Sequence, residues 1–194
     1  IDLGNHAVLL AYRKKFDDFI KTHPVRASWV DKSVRSTGSF LKNCKDCISS
    51  YWLEQGENCR YGDFALGIKD AMDFSITSRA ERLFETVNVG TLSYEAKFSM
   101  LGRANHHIEY SMLCYNCEYC FGCVGLRNKK FHILNVPYAE DRYWTKVDEI
   151  KTRMLRSGEY GEFFPISFSH YPYPVSLAHL LFPFERKEVI ARGG

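Results

Sequence analysis

The run CYNCEYCFGCVGLRNKK occupies residues 114–130 and places a cysteine at every third position from Cys114 to Cys123. Such a run has three interpretations: the thiols hold a metal ion, they carry redox chemistry, or they fill a narrow core. Cysteine is both a metal ligand and a small buried hydrophobe, so residue type alone does not choose among the three. The pattern in the rest of the chain separates them.

A repeat with a period of about twelve residues extends from this run back through the middle of the chain. One column of equivalent positions holds Cys44, Cys59, Ala71, Leu83, Ala96, Ile108, Cys120 and Phe131. The column three residues later is mostly small and holds Cys47, Gly62, Phe74, Thr86, Ser99, Ser111, Cys123 and Leu134. The column six residues after the first holds Ser50, Ala65, Thr77, Val89, Gly102, Cys114 and Leu126. We expect these three columns to face inward, with aromatic residues between the first two.

A coil of about twelve residues loses roughly 1.5 kcal/mol of conformational entropy per residue and cannot bury enough surface alone, so it must stack on its neighbours. The repeat therefore predicts a mainly β fold with flanking α elements. Its centre is a short right-handed β-solenoid over residues 37–136, with strands of two to four residues. Asn and Asp tolerate left-handed backbone and therefore suit its turns. The residues predicted at the turns are Asn43, Asn58, Asp70 and Asn116.

The segments on either side have a helical or irregular pattern. Apolar residues recur at three- and four-residue spacing from residue 7 to residue 21, which predicts an amphipathic N-terminal helix. The apolar positions are Val8, Leu9, Tyr12, Phe16, Phe19 and Ile20. Residues 25–36 are predicted to form an extended strap. A second helix is predicted after Pro137, ending near Gly158, and its apolar face holds Tyr143, Val147, Ile150 and Met154.

Residues 159–194 are rich in proline and aromatic side chains, which predicts an irregular strap with short helices at residues 175–181 and 185–191. The chain is thus predicted to be one compact unit. Its three parts are an N-terminal helix and strap (1–36), the cysteine-lined solenoid (37–136), and a C-terminal helix with a capping strap (137–194).

Bulk properties exclude several classes of protein. The net charge is only +3 and no long run of like charges is present, so neither a basic nucleic-acid arm nor an acidic tail is indicated. No apolar run approaches the roughly 18 residues that span a bilayer, so no membrane contact is expected. Four of the seven cysteines crowd into ten residues, which favours reduced thiols in an intracellular, reducing compartment over a disulfide framework.

Metal binding is the alternative interpretation of the cysteine cluster, with zinc favoured over an iron–sulfur cluster. The candidate ligands are Cys114, Cys117, Cys120 and Cys123. Cys44 and Cys47 form another C-x-x-C pair, but in a solenoid they lie about six coils from Cys117, roughly 30 Å away at about 4.8 Å per coil. Packing is preferred because Cys shares its columns with Ala, Ser, Gly and Thr, which cannot replace a metal ligand. On this interpretation no cofactor is expected.

Catalysis has less support. His106, His107 and His132 lie in repeats next to the cysteine cluster, but a neighbouring Cys and His are a generic combination. The sequence has no G-x-S-x-G elbow, phosphate-binding glycine loop, H-E-x-x-H motif or dinucleotide fingerprint. The basic stretch at residues 127–130 is interpreted as a solvated turn in preference to a phosphate-binding site. No catalytic residue is therefore assigned.

Three blocks of the chain resemble a known group of sequences. They are CFGCVGLRNKK at residues 120–130, preceded by Asn116 and Cys117, GEYGEFFP at 158–165, and FPFERKEVIARG at 182–193. They resemble the C-terminal half of uncharacterised cysteine-rich repeat proteins of small uncultured bacteria and some large DNA viruses, and the resemblance covers most of the chain. It implies repeating Asn-Cys units but no established activity.

The resemblance also has departures. Names that imply an acyl-CoA transferase are attached to some members of the group, and no residue pattern in this chain supports them. Members carry an upstream cysteine-pair module that looks zinc-binding and is absent here. Positions at which relatives have Cys are here Ala71, Leu83, Ala96 and Ser111. This thinning fits packing better than a metal array.

The sequence thus predicts a non-enzymatic scaffold that takes part in a larger macromolecular assembly through protein partners, as a virion component if the chain is virus-encoded. The alternative function is metal binding or thiol redox chemistry at the cysteine cluster. Terminal segments are expected to cap the solenoid, because an open strand edge invites indiscriminate pairing.

Overall fold

The computed structural model describes residues 4–62, 65–79, 81–89, 92–169, 171–176, 178–179 and 183–193. In this part of the chain, helix α1 spans His6–Lys21, α2 spans Glu140–Ser157 and α3 spans Arg186–Ala191. The strands are β1 Val30–Asp31, β2 Gly38–Lys42, β3 Ser50–Glu54, β4 Ala65–Leu66, β5 Met72–Ser75, β6 Thr77–Ser78, β7 Glu81–Val89, β8 Tyr94–Gly102, β9 His106–Glu109, β10 Glu118–Phe121, β11 Lys130–Ile133 and β12 Val136–Pro137.

These strands build a β-solenoid of about eight turns. They form two parallel sheets, in the orders β1-β2-β3-β4-β6 and β5-β7-β8-β9-β10-β11, to which β12 adds an antiparallel edge strand. Residues twelve apart are paired, as in Leu41 with Leu53 and Leu53 with Ala65. Among the described residues, two turns depart from this spacing: Val30 pairs with Leu41, eleven residues later, and Val89 pairs with Gly102, thirteen residues later. The predicted mainly β solenoid with a helix at each end is confirmed.

Each turn has four short sides of three residues. Within a side, one residue points inward, the next is extended, and the third has left-handed backbone before the chain bends into the following side. Positive φ recurs at this spacing at Asn43 (54°), Asp46 (58°), Ser49 (49°) and Trp52 (57°). The predicted turn residues Asn43, Asn58, Asp70 and Asn116 all have this conformation. Every third side chain is consequently buried, and these side chains form one continuous interior cluster.

Four details of the predicted repeat were wrong. The interior has four columns instead of three, because the column that runs from Cys44 through Ile68 to Cys117 also faces inward. Ile48 pairs with Arg60, so the residues before them, Cys47 and Cys59, are equivalent positions. The sequence had predicted that Cys44 is the equivalent of Cys59. At the other end His132, and not Phe131, pairs with Cys120. The predicted upper limit of four residues per strand also fails, since β7 and β8 have nine residues each.

The solenoid begins before the expected boundary at residue 37. Val30 and Asp31, in the predicted strap, form β1 and pair with Leu41 and Lys42 of β2. Cys44 donates its backbone N–H to the Ser33 hydroxyl, and Cys47 does the same to Ser36. Serine side chains in the first coil thus satisfy backbone donors of the second.

At the C-terminal end, α2 packs along the wall of the last coils. Tyr143 and Val147 of α2 are buried against Phe121 and Ile133, whose side chains point out of the solenoid. The helix ends at Gly158, which has left-handed backbone (φ 74°) and donates its N–H to the Leu155 carbonyl, as predicted.

The last coil is also closed at its edge. Val136 of β12 pairs with Ile133 of β11. The Asn135 side chain both accepts a hydrogen bond from the Val124 N–H (2.8 Å) and donates one to the Val124 carbonyl (2.9 Å), as the backbone of a further coil would. A side-chain amide therefore substitutes for the missing next turn.

The C-terminal strap adds aromatic contacts. Phe164 stacks on Phe168 and lies edge-on to Tyr110 of the solenoid wall. The predicted helix at 185–191 is present as α3, where Glu185 and Glu188 form a capping box. The predicted helix at 175–181 lies partly outside the described residues.

Candidate functional site

The four clustered cysteines lie on four different sides of the solenoid. Cys114, Cys117, Cys120 and Cys123 are successive inward positions, one in each column, and each is at most 1% exposed. Cys44, Cys47 and Cys59 are buried near the other end, and all seven thiols are free. A spacing of three residues matches the length of a side, so the C-x-x-C pattern here is the period of the fold.

Five of the seven buried thiols make the same two contacts as a buried serine at an equivalent position. The Cys123 Sγ–H donates to the carbonyls of Phe121 (3.5 Å) and His132 (3.4 Å), two residues before it and nine after it. The Ser50 hydroxyl lies at the same two offsets, with the carbonyls of Ile48 (3.1 Å) and Cys59 (2.8 Å). The inward thiols are therefore packing groups that also bond the neighbouring coil's backbone, a role that a hydroxyl fills as well.

Burial works against ionisation of these thiols. Burial raises the pKa of the Cys114 thiol to about 11. The hydrogen bond that Cys120 shares with the Cys123 thiol, together with burial, raises the pKa of Cys120, while the same hydrogen bond favours the Cys123 thiolate. Because thiolate is the form that attacks electrophiles and binds metals, most of this interior is chemically quiet.

The predicted metal ligands face the same interior but do not form a metal-binding group. Among the described residues, which include all seven cysteines, no three His, Cys, Asp or Glu side chains are arranged to hold a metal ion. The histidines have other contacts: His107 Nδ1 lies 2.8 Å from the Glu95 carboxylate, and His132 Nδ1 lies 2.8 Å from the Lys130 carbonyl. Within the described ranges there is therefore neither a ligand cage nor a hydrogen bond from the His107 or His132 ring to a thiol.

No family model matches this chain, and no curated protein matches it. Function must therefore be inferred from the geometry. No helix within the described ranges is both long enough and apolar enough to cross a membrane.

On the outer surface, residues at equivalent positions of successive coils lie beside one another in rows. Bridges place Lys45, Glu57, Lys69 and Glu81 on successive coils, so that charge alternates along one line of the wall. The predicted basic stretch continues this arrangement: Lys130 pairs with Glu118 (3.2 Å), and the Arg127 guanidinium lies over the Tyr115 ring. These two charges thus contact residues of the preceding coil.

Glu109 is a polar anchor that sequence reasoning missed. Its carboxylate accepts hydrogen bonds from Lys151 Nζ of α2 (2.7 Å) and from the Tyr160 hydroxyl (3.0 Å). The Tyr110 hydroxyl accepts the Gly161 N–H (3.0 Å). These contacts hold α2 and the following loop on the wall. The sequence alone does not single out Glu109 and Tyr110. Both follow Ile108, an inward residue, so their outward position can be recognised only after the inward columns have been assigned.

A group of carboxylates lies further along the same wall. Burial, and then the negative charges of Asp73 and Glu162, raise the pKa of the Glu85 carboxyl. Asp73 and Glu85 also line a groove that Phe163 of the strap borders. Burial and the repulsion among the carboxylates both favour the neutral form of Glu85, so we expect this junction between strap and wall to be less stable at neutral pH than at acidic pH.

Replacing Glu85 by Gln is expected to raise the free energy of unfolding at pH 7 by up to about 1 kcal/mol, since half-exposed charges are screened. A raised carboxyl pKa contributes stability that is complete below its unfolded value, about 4.3, and is lost as pH rises through the folded value. The gain should accordingly vanish near pH 4. Thermal unfolding of both chains between pH 4 and pH 7 measures it.

The matched control is Glu57→Gln, which removes a carboxylate that lies between Lys45 and Lys69. It should lower stability at pH 7 by a few tenths of a kcal/mol, the opposite sign. Equal effects of the two variants would show that the carboxylate group around Glu85 carries no repulsion.

Proposed function

We propose that this protein is a non-enzymatic scaffold that acts as an interaction component of a larger assembly in an intracellular, reducing compartment. One observation carries the proposal: every cysteine thiol is buried in an interior column that it shares with Ala, Gly, Ser and Thr. The feature that most resembles a chemical site is thus accounted for by packing.

The exterior supports the same proposal. A solenoid presents long, rigid walls on which equivalent residues repeat about every 4.8 Å, a suitable geometry for extended contacts. Two of its walls carry aromatic rows, one at each end of the solenoid, and only the C-terminal row is covered by α2. The protein partners would meet the walls and not the interior.

Elemental analysis with a thiol count separates this proposal from the metal-binding and redox alternative. We expect less than about 0.1 zinc or iron per chain in the unmodified protein, slow alkylation of the folded protein, and seven reactive thiols after denaturation. The physical reason is that no thiol is more than 2% exposed. A buried thiol can be alkylated only in molecules that have locally unfolded, so the alkylation rate reports the fraction of such molecules.

About one zinc or several irons per chain, with thiols that a chelator releases without denaturant, would establish the metal-binding function and overturn the proposal. A second measurement tests the assembly role directly. In gently lysed source cells, the chain should elute well above twice its own mass of 22.5 kDa on size exclusion. Elution only as a monomer or dimer would remove that role.

A further inference from the structure

The two ends of the solenoid differ in how their surfaces are covered. At the C-terminal end, α2 lies on the aromatic wall and β12 pairs with the final parallel strand. At the N-terminal end, α1 has no buried residue. In the described part of the chain β1 is the terminal strand of its sheet. The N-terminal end therefore has an amphipathic helix and an aromatic wall that leave each other exposed.

The exposed wall contains a groove of about 400 Å³. Its apolar side is a row of three rings from successive coils, Trp29, Phe40 and Trp52, with centroids 6.4 Å and 5.3 Å apart. Between 49% and 57% of each of these residues is exposed. Leu41 and Leu53 form the floor, and the Lys42–Glu54 ion pair lies at the rim.

Helix α1 has a matching stripe. Leu9, Tyr12, Phe16 and Phe19 follow one another at three- and four-residue spacing, so they share one face of the helix. Between 43% and 60% of each is exposed. The helix is about 24 Å long at 1.5 Å per residue, enough to cross about five coils.

Helix α2 shows how this chain covers such a wall. Its rings Tyr143 and Trp144 contact Phe131 and Tyr119, which stack on each other in successive coils. By the same geometry, we propose that α1 of one copy of this chain packs into the Trp29–Phe40–Trp52 groove of a second copy, and reciprocally, so that two copies form a two-fold symmetric dimer.

The available area fits a stable dimer. Seven large apolar side chains per copy, each about half exposed, offer on the order of 700–800 Å². A standard stable interface buries about 800 Å² per partner. The charges are also of opposite sign. Helix α1 carries four basic and two acidic side chains, an excess of positive charge, whereas the groove rim has the carboxylates of Asp31 and Glu54 and one basic side chain, Lys42. A self-complementary interface of this kind closes with two-fold symmetry and leaves no further copy to recruit.

The dimer extends the scaffold proposal, because it joins two solenoids in one particle, but its test is separate. Purified chain alone reports on the dimer, while size in cell extract reports on the assembly. Either result stands if the other fails.

The test is analytical ultracentrifugation of the full chain over a hundredfold range of concentration. We expect reversible association to about 45 kDa, twice the 22.5 kDa chain mass. The helix variant Phe16→Glu/Phe19→Glu and the groove variant Phe40→Glu should each raise the dimer dissociation constant at least tenfold. The control Leu155→Glu, at a 62% exposed position on α2, should leave it unchanged. Trp29→Arg serves as the groove variant if Phe40→Glu unfolds on circular dichroism.

Mixing decides whether the contact runs between copies. In an equimolar mixture of helix variant and groove variant, one of the two helix–groove contacts is intact, so heterodimers should form at concentrations where neither variant dimerises alone. A wild-type chain that is monomeric throughout would overturn the proposal. So would a dimer that survives both variants, or a mixture without heterodimers. A concentration-independent blue shift of tryptophan fluorescence that depends on α1 would instead place α1 on its own groove.

Discussion

Replacing Gly38 by Ala is expected to lower the free energy of unfolding by about 3 kcal/mol or more, or to prevent folding of the first coils altogether. Gly38 has φ 133°, a conformation that side chains rarely adopt, and a Cβ there would overlap the backbone carbonyl of Ser50 on the next coil. Ser50 is completely buried and is paired with Gly38 in the parallel ladder. The stacked coils leave no direction in which the two strands can separate without breaking neighbouring pairs.

Gly125→Ala is the matched control. Gly125 also has positive φ (71°), but a Cβ there meets nothing within 4 Å. It should therefore cost only the conformational term, about 1 kcal/mol. Urea denaturation of the two variants, followed by circular dichroism, measures the difference. Equal losses at both positions would mean that the coils separate freely at Gly38, and that register near the N-terminal end is loosely held.

The twelve-residue period was predictable because most members of three of the four inward columns are small or apolar. In the column of Ser50, most members are small or modestly apolar, so the repeat stands out from its neighbours. The missed column contains Cys44, Gly56, Ile68, Asn105 and Cys117, which share no size or polarity. Asn105 is fully buried only because its amide donates to the Cys114 carbonyl (2.7 Å) and accepts the Cys117 N–H (3.0 Å). Such a site is specified by its hydrogen bonds and not by hydrophobicity.

The left-handed corners were predictable only where Asn or Asp occupies them. The same conformation occurs at Trp52 (φ 57°), Ile76 (φ 49°) and Phe98 (φ 47°), residue types that avoid it locally. Each costs on the order of 1 kcal/mol relative to right-handed backbone. The pairing of whole coils stabilises the corner and overrides local preference, which a single sequence does not display.

The helices themselves were predictable from the sequence, but the surface on which α2 packs was not. Both helices were identified from their apolar periodicity, and α2 ends at Gly158 as expected. The edge of the last coil is closed by β12 and Asn135. Asn135 and Val136 lie at the end of the predicted solenoid, and not in the segment from residue 137 onward that was expected to cap it. Helix α2, however, lies along the wall, because the outward residues Phe121 and Ile133 there are apolar. An apolar outward column can be recognised as a packing surface for a helix only after the inward columns have been assigned.

A chain that ends at Pro137 is expected to aggregate. It retains every coil and β12, but it loses α2, which buries Phe121 (5% exposed) and Ile133 (3% exposed) on the wall. Exposing those two side chains costs about 3–6 kcal/mol, comparable to the whole stability of a small domain. The uncovered patch also includes Tyr119 and Phe131, a contiguous aromatic surface of the kind that promotes association. Light scattering and the soluble fraction after expression measure the effect.

Removing residues 1–24 is the opposite case, because α1 buries none of its residues. At concentrations too low for the full chain to dimerise, that chain should stay soluble, with thermal unfolding within a few degrees of the full chain. A point variant separates loss of the α2 contact from loss of chain length: Tyr143→Ala should cost about 3–5 kcal/mol while keeping all residues downstream. If the chain that ends at Pro137 is soluble and monodisperse, the coils and β12 are sufficient for the fold. The wall under α2 would then be a docking surface that α2 occupies, and not a part of the core.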